Sequence, residues 1–171
     1  MDGIDGLVGG CFLIITFKFC LLNKYPFIFL IPSLIAFLIY NWHPAKLFMG
    51  DTGSTLLGGV FFIMMLDQKD LINMFKFLLL GSPLLFDSVF TLLIRIKNGQ
   101  NIFKPHKMHL YQRLNQAGID QEKISIIYCF SILLLSIDPV YNNIYVLTAS
   151  SLIILFLGFL LNQKYAKSFI N

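Results

Sequence analysis

The sequence predicts an all-α fold: a polytopic membrane bundle of about six transmembrane helices, forming a single domain over residues 1–171. Three observations predict it. Of the 171 residues, 57% are hydrophobic and only 13% are charged, about half the ~25% charge usual in soluble domains. The apolar residues fall in runs, with Phe occurring 18 times, most often beside Leu and Ile. The polar residues gather in connections between those runs. A water-soluble chain of this size has no core large enough to hide so much apolar surface.

Six stretches qualify as membrane helices, and each is bounded by a polar connection. Residues 7–22 end at a short connection over 23–26. Residues 27–40 run into a long polar loop over 41–53. Residues 54–66 leave that loop and stop at 67–70. Residues 71–96 form the longest stretch and lead into a second long loop over 97–122. Residues 124–137 and 144–161 are separated by 138–143. The second and third stretches fall short of the ~20 residues a bilayer core asks for. No repeat or low-complexity segment breaks the chain. Cys11, Cys20 and Cys129 each lie inside an apolar run with no C-x-x-C pair, which reads as packing rather than metal or redox chemistry. No cleavable signal peptide is expected, because Met1 is followed by Asp-Gly-Ile-Asp-Gly rather than by a basic segment.

Lys and Arg concentrate on the cytoplasmic connections of membrane proteins. With the N-terminus in the cytoplasm, the inner segments carry Lys46, Arg95, Lys97, Lys104, Lys107, Arg113, Lys123, Lys164 and Lys167, and the outer ones only Lys24 and Lys69. Nine against two places the N-terminus and both long loops inside. The net charge of +4 matters less than this segregation, and no nucleic-acid partner is expected.

Three polar segments could carry chemistry. Asp2-Gly3-Ile4-Asp5-Gly6-Leu7 holds two carboxylates three residues apart, each followed by a glycine that lets backbone approach a phosphate or sugar. N-terminal helix capping is the plainer explanation of the same residues. Phe48-Met49-Gly50-Asp51-Thr52-Gly53-Ser54 stands where a cytoplasmic loop re-enters the membrane. Asp51 there is a hard-oxygen ligand suited to Mg2+, which binds one or two carboxylates plus substrate phosphates; a helix cap by Asp51 or Ser54 is the alternative. Lys104-Pro105-His106-Lys107-Met108-His109-Leu110-Tyr111-Gln112-Arg113-Leu114 interleaves two histidines with three cations, a basic pocket suited to a diphosphate. Spacing alone also allows zinc, without a third ligand nearby, or a positively charged anchoring loop. Asp87 is an ionisable residue inside an apolar stretch and so a candidate by default; it reads as facing a polar interior. Trp42 reads as an interfacial anchor, and His43 stays open.

These segments, in this order, resemble the polyprenyl-phosphate N-acetylhexosamine-1-phosphate transferases. The first is similar to the family's D-G-x-D-G-L motif, the second to F-M-G-D-x-G-S, and the third to its histidine loop, P-H-[KR]-x-H-x-Y-Q, in a form that resembles the O-antigen initiating members more than the peptidoglycan enzyme. Pro83 to Asp87 followed by Arg95 resembles a segment of the same branch. The resemblance implies transfer of an N-acetylamino-sugar 1-phosphate from a UDP-sugar to undecaprenyl phosphate, with UMP released and Mg2+ (or Mn2+) as cofactor. It implies Asp2 and Asp5 in catalysis or nucleotide-sugar binding, Asp51 as metal ligand, and His106, His109, Lys104, Lys107 and Arg113 around the diphosphate. The implied setting is the bacterial inner membrane, multi-pass, with the active site facing the cytoplasm.

Two departures shape the expectation. Family members have about ten membrane helices against the six read from this sequence, and a pair of aspartates belongs to the part not represented. The family also places Met immediately before the first motif Asp, where Met1 stands. The chain is therefore expected to be the C-terminal part of a transferase, partnered by a missing N-terminal half and inactive alone. An inactive gene remnant or membrane scaffold is the alternative. A minor one is an intramembrane aspartyl protease, since Asp51-Thr52-Gly53-Ser54 spells a protease tetrapeptide, although Phe48 stands where the membrane proteases need Gly.

Overall fold

The computed structural model describes residues 3–23, 27–104 and 106–169. Met1, Asp2, Lys24 and Pro105 lie outside them, and with Asp2 goes half of the expected catalytic pair. Among the described residues every regular element is helical: α1 (Leu7–Asn23), α2 (Leu30–Asn41), α3 (Gly50–Leu66), α4 (Leu71–Leu80), α5 (Ser82–Lys97), α6 (Leu110–Gln116), α7 (Gln121–Ser136), α8 (Asp138–Asn142) and α9 (Ile144–Lys164). No strand occurs among them. The β-rich setting that the Asp51 tetrapeptide needs in a soluble protease is thus absent from the described residues.

The core is organised by α1. Leu7, Cys11, Ile15 and Phe19 recur every four residues and are almost wholly buried, the stripe that one helix face presents. They pack most extensively against α7, whose Ile124, Tyr128, Ile132 and Leu135 form the matching face. Close approach depends on Gly10, where a Cβ would lie 2.7 Å from Cys129 Sγ. Aromatic rings continue the core sideways: Phe19 meets Phe77 edge-on at 5.7 Å, and Phe77 stacks on Phe61 at 5.1 Å. Two helix starts, those of α4 and α9, follow local capping chemistry. The Asp70 carboxylate accepts from the Asn73 N–H at 2.8 Å, and Asn143 Oδ1 from Tyr145 N–H at 3.0 Å.

The stretch expected as one span over 71–96 is two helices. α4 and α5 meet at 77°. Pro83 sits in the first turn of α5; inside a continuous helix its missing N–H and its ring against the carbonyl four residues back would cost about 3 kcal/mol, so the chain restarts instead. At the corner Gly81 leaves room for Phe61, whose Cζ would lie 2.8 Å from an added Cβ.

One helix among the described residues, α9, is long and apolar enough on its own to cross a membrane, and the bent α4–α5 pair makes two if counted as one span. At 21 residues α9 is about 31 Å long, close to the ~30 Å hydrocarbon core. Only 11% of its most apolar window is buried, unlike the core helix of a soluble protein. α1 and α3, at 17 residues, and α2, at 12, are shorter apolar helices. A further buried charge outside the loops is Lys18 in α1: its Nζ lies 2.5 Å from Asp138 Oδ1 and 4.6 Å from the centre of the Tyr141 ring.

Candidate active site

The segment before α1 is held by two distant parts of the chain. Asp5 Oδ2 lies 2.9 Å from His43 Nδ1 and accepts the Ala45 N–H at 3.1 Å. The backbone of Asp5 is tied to α7, its N–H donating to Gln121 Oε1 at 3.2 Å and its carbonyl accepting from Ser125 Oγ at 2.7 Å. Gly6 N–H donates to Asn41 Oδ1 at 3.0 Å, and Asn41 Nδ2 donates onward to the Leu47 carbonyl at 2.8 Å. Gly6 turns with φ +73, and an added Cβ there would lie 2.7 Å from Trp42 Cε3; only glycine meets both demands. Trp42 in turn donates to Glu122 Oε1 at 3.3 Å.

The same segment touches the histidine loop. A Cβ on Gly3 would stand 2.9 Å from Gln112 Nε2 and 3.4 Å from the Tyr111 hydroxyl, so the first motif lies directly on α6. The structure therefore gathers the Gly3–Gly6 backbone, Asp5, His43, α6 and the start of α7 at one end of the bundle.

Asp87 organises the loop from below. Buried in α5, it accepts from the Leu110 N–H at 2.8 Å, the Tyr128 hydroxyl at 2.9 Å and Thr91 Oγ1 at 3.3 Å. Those bonds fix where α6 begins. His109 Nδ1 lies 3.7 Å from Asp87 Oδ1, outside hydrogen-bond reach, and is buried without a hydrogen-bond partner among the described residues. The His109 ring stacks on Tyr111 at 5.4 Å and lies 4.9 Å from the His106 ring. Burial, followed by the positive Arg95 and by His109, holds the His106 pKa below its ordinary value. His106 is accordingly neutral near pH 7, able to donate or accept a hydrogen bond.

The cations of this loop divide into two kinds. Lys104 and Lys107 are exposed, with ammonium groups open to an anion. Arg113 is turned inward. It is buried, with Nε donating to the Met108 carbonyl at 3.1 Å, Nη1 to the Lys167 carbonyl at 2.8 Å and Nη2 to Asn162 Oδ1. Its guanidinium is occupied in joining α6 to the end of α9, and burial lowers its pKa. Arg95 has a similar duty, its Nη2 donating to the carbonyls of Asn101 at 2.5 Å and Lys104 at 3.2 Å.

Asp51 stands apart. It is exposed in the first turn of α3, its carbonyl accepts from Ser54 Oγ at 3.2 Å, and among the described residues no hydrogen bond reaches its carboxylate. No group of three or more His, Cys, Asp or Glu placed to hold a metal occurs among the described residues. One exposed carboxylate fits Mg2+ as a single protein ligand, because that ion keeps waters and takes substrate phosphates; it does not build a cage of protein groups. Residues that the sequence did not single out, Asn41, Gln121, Ser125 and Tyr128, turn out to hold the site together. Gln121 and Ser125 are polar residues four apart on an apolar helix, a pattern that could have flagged them.

Residues 1–69 match the family model described as Glycosyl transferase family 4. The chain is 35% identical over 142 residues to the probable undecaprenyl-phosphate N-acetylglucosaminyl 1-phosphate transferase of Bacillus subtilis, covering 75% of this chain and 39% of that protein. Residues 1–69 carry a glycosyl transferase family 4 sequence. The chain is also similar to the decaprenyl-phosphate N-acetylglucosaminephosphotransferase of Mycobacterium leprae, at 30% identity over 72% of this chain and 39% of that protein. To the phospho-N-acetylmuramoyl-pentapeptide-transferase of Carboxydothermus hydrogenoformans it is 33% identical, over 82% of this chain and 45% of that protein. The chain thus spans less than half the length of the curated relatives it matches. No solved structure matches it.

Proposed function

We propose that this chain is the C-terminal part of a transferase that moves an N-acetylamino-sugar 1-phosphate from a UDP-sugar to undecaprenyl phosphate at the inner face of a bacterial cytoplasmic membrane, starting a cell-surface polysaccharide such as O-antigen. The observation that carries the reading is the convergence at Gly3: the first motif, His43 and the histidine loop share one end of the bundle. The names of the similar proteins support the reaction type. In the proposed reaction an oxygen of the lipid phosphate forms a bond to the sugar-bearing phosphorus of the donor. The bond from that phosphorus to the bridging oxygen breaks, and UMP leaves.

Each residue has a part in this reading. Asp5 is oriented through Oδ2 by His43 and the Ala45 N–H; its Oδ1 accepts from the bound nucleotide sugar. Lys104 and Lys107 place positive charge beside the diphosphate, and neutral His106 with His109 contributes hydrogen bonds. Mg2+ or Mn2+ held with the help of Asp51 would offset charge on the transferred phosphate. The proposed topology takes the six apolar stretches as six passes, the shorter ones thinning the bilayer locally, with Gly50 to Gly53 in the cytoplasm.

A second reading, an inactive remnant or membrane scaffold, draws on the 39–45% coverage of the relatives. One experiment separates the two. Membranes carrying this chain, alone and with the amino-terminal part of the Bacillus subtilis relative in trans, are given UDP-N-acetylglucosamine, undecaprenyl phosphate and Mg2+. UMP release that appears with the combined parts and is lost on Asp5→Asn or Asp51→Asn supports the transferase. No release, with this or any other UDP-N-acetylamino sugar, supports the remnant.

A further inference from the structure

The loop after α5 exposes apolar side chains where a cytoplasmic loop has no need of them. Phe103 is 90% exposed and Ile102 38%. The turn is not slack: the buried Arg95 guanidinium binds the carbonyls of Asn101, Ile102 and Lys104, and Phe103 N–H donates to Asn101 Oδ1 at 2.9 Å. A hydrophobic tip is thus held out by a charged residue that spends its own hydrogen bonds on the loop backbone.

Charge around the tip has one sign. Lys97, Lys104 and Lys107 are exposed, and no Asp or Glu occurs anywhere from residue 88 to residue 119. The exposed strip of α5 made by Val89, Leu93 and Ile96 leads along the helix to this loop, as residues three and four apart share a face.

We propose that the loop over residues 98–104 is an interfacial anchor, with Phe103 inserted among the headgroups of the adjoining leaflet and the three lysines paired with anionic phospholipid. Apolar side chains flanked by lysine are what an anionic bilayer surface attracts, the first by burial in the acyl boundary and the second through the negative surface potential. Arg95 makes the tip a rigid wedge, so little ordering cost opposes insertion. The lysines then serve two anions in turn, lipid and donor diphosphate, and docking would fix the height of the histidine loop above the membrane. The anchor rests on the bilayer embedding proposed above and is independent of sugar transfer.

The test uses the whole chain reconstituted in vesicles of phosphatidylcholine alone or mixed equally with phosphatidylglycerol. Trp42 is the sole tryptophan of the sequence, so the emission added by Phe103→Trp is obtained as a difference from the parent. Phe156→Trp, on the 59% exposed lipid-facing side of α9, reports whether the chain is embedded. Emission from the indole introduced at position 103 should be blue-shifted and should lose most of its intensity to phospholipids brominated near the headgroup end of their chains. The loss should be larger with phosphatidylglycerol present, and Lys97→Gln/Lys104→Gln/Lys107→Gln should abolish that lipid dependence. Emission from position 103 untouched by brominated lipid, while the indole at position 156 is quenched, overturns the anchor and points to a protein partner for Phe103. Equal quenching in the two lipid mixtures overturns the anionic-lipid assignment. Absence of quenching at position 156 removes the embedding on which the anchor rests and so overturns both.

Discussion

Tyr128→Phe removes a single hydroxyl, one of three donors to the buried Asp87 carboxylate. It donates at 2.9 Å, beside Leu110 N–H at 2.8 Å and Thr91 Oγ1 at 3.3 Å. A hydrogen bond to a charged group is worth about 1.5–3 kcal/mol, so the variant should lose that much stability, roughly 10- to 150-fold in the unfolding equilibrium constant. Because Asp87 also holds the first N–H of α6, exchange of the Leu110 amide should quicken along with global unfolding. Tyr141→Phe is the matched control, since the Tyr141 hydroxyl is buried with no hydrogen-bond partner among the described residues. Removing an unsatisfied hydroxyl spares its desolvation cost of about 1–3 kcal/mol, so this variant should be neutral or more stable. The assay is reversible unfolding of the purified chain in mixed micelles, followed through Trp42 fluorescence, with hydrogen exchange read at Leu110. Equal losses for the two variants, or an unchanged Leu110 amide in Tyr128→Phe, would refute the role of Asp87 as organiser of the histidine loop.

His106 has a folded pKa below its unfolded value, so the unfolded chain binds more protons; stability should be complete above about pH 6.5 and fall as pH drops below it. His106→Gln should flatten that acid limb of the unfolding profile. Gly10→Ala should cost about 1–3 kcal/mol in the same unfolding assay, because its Cβ meets Cys129 Sγ at 2.7 Å and must push α1 from α7. Arg113→Lys should loosen α6 from α9, seen as faster exchange at Arg113–Ala117 amides. A lysine cannot reproduce the fork that reaches Met108, Lys167 and Asn162.

The helical class and the placing of Asp51 at a helix start were legible in the sequence, because apolar runs and Gly-Asp-Thr-Gly are local signals. Asp87 was legible as a residue facing a polar interior, since an ionisable group in an apolar run must find partners. The corner at Gly81 was not, although Pro83 announces it; the length of the apolar run masks the proline chemistry. That Arg113 donates to Met108, Lys167 and Asn162 was not legible, because spacing shows that a cation is near histidines and not which way it points. The bonds from Asp5 to Gln121 and Ser125 span 116 and 120 residues. Helical periodicity tells which face is buried but not which helix receives it, so no local pattern could have paired them. His43, open in the sequence, lies against Asp5 in the structure.

A donor site built on the first motif is the central claim, and the place where a nucleotide sugar binds tests it most directly. Photolysis of the membrane-embedded chain with an azido analogue of UDP-N-acetylglucosamine should label peptides containing Gly3 to Gly6, His43 and His106 to Gln112. Unmodified donor should compete the labelling away, and Asp5→Asn should abolish it. Labelling that persists in Asp5→Asn, or that falls on the opposite end of the bundle around Asp67 to Asp70 and Asp138, would contradict it.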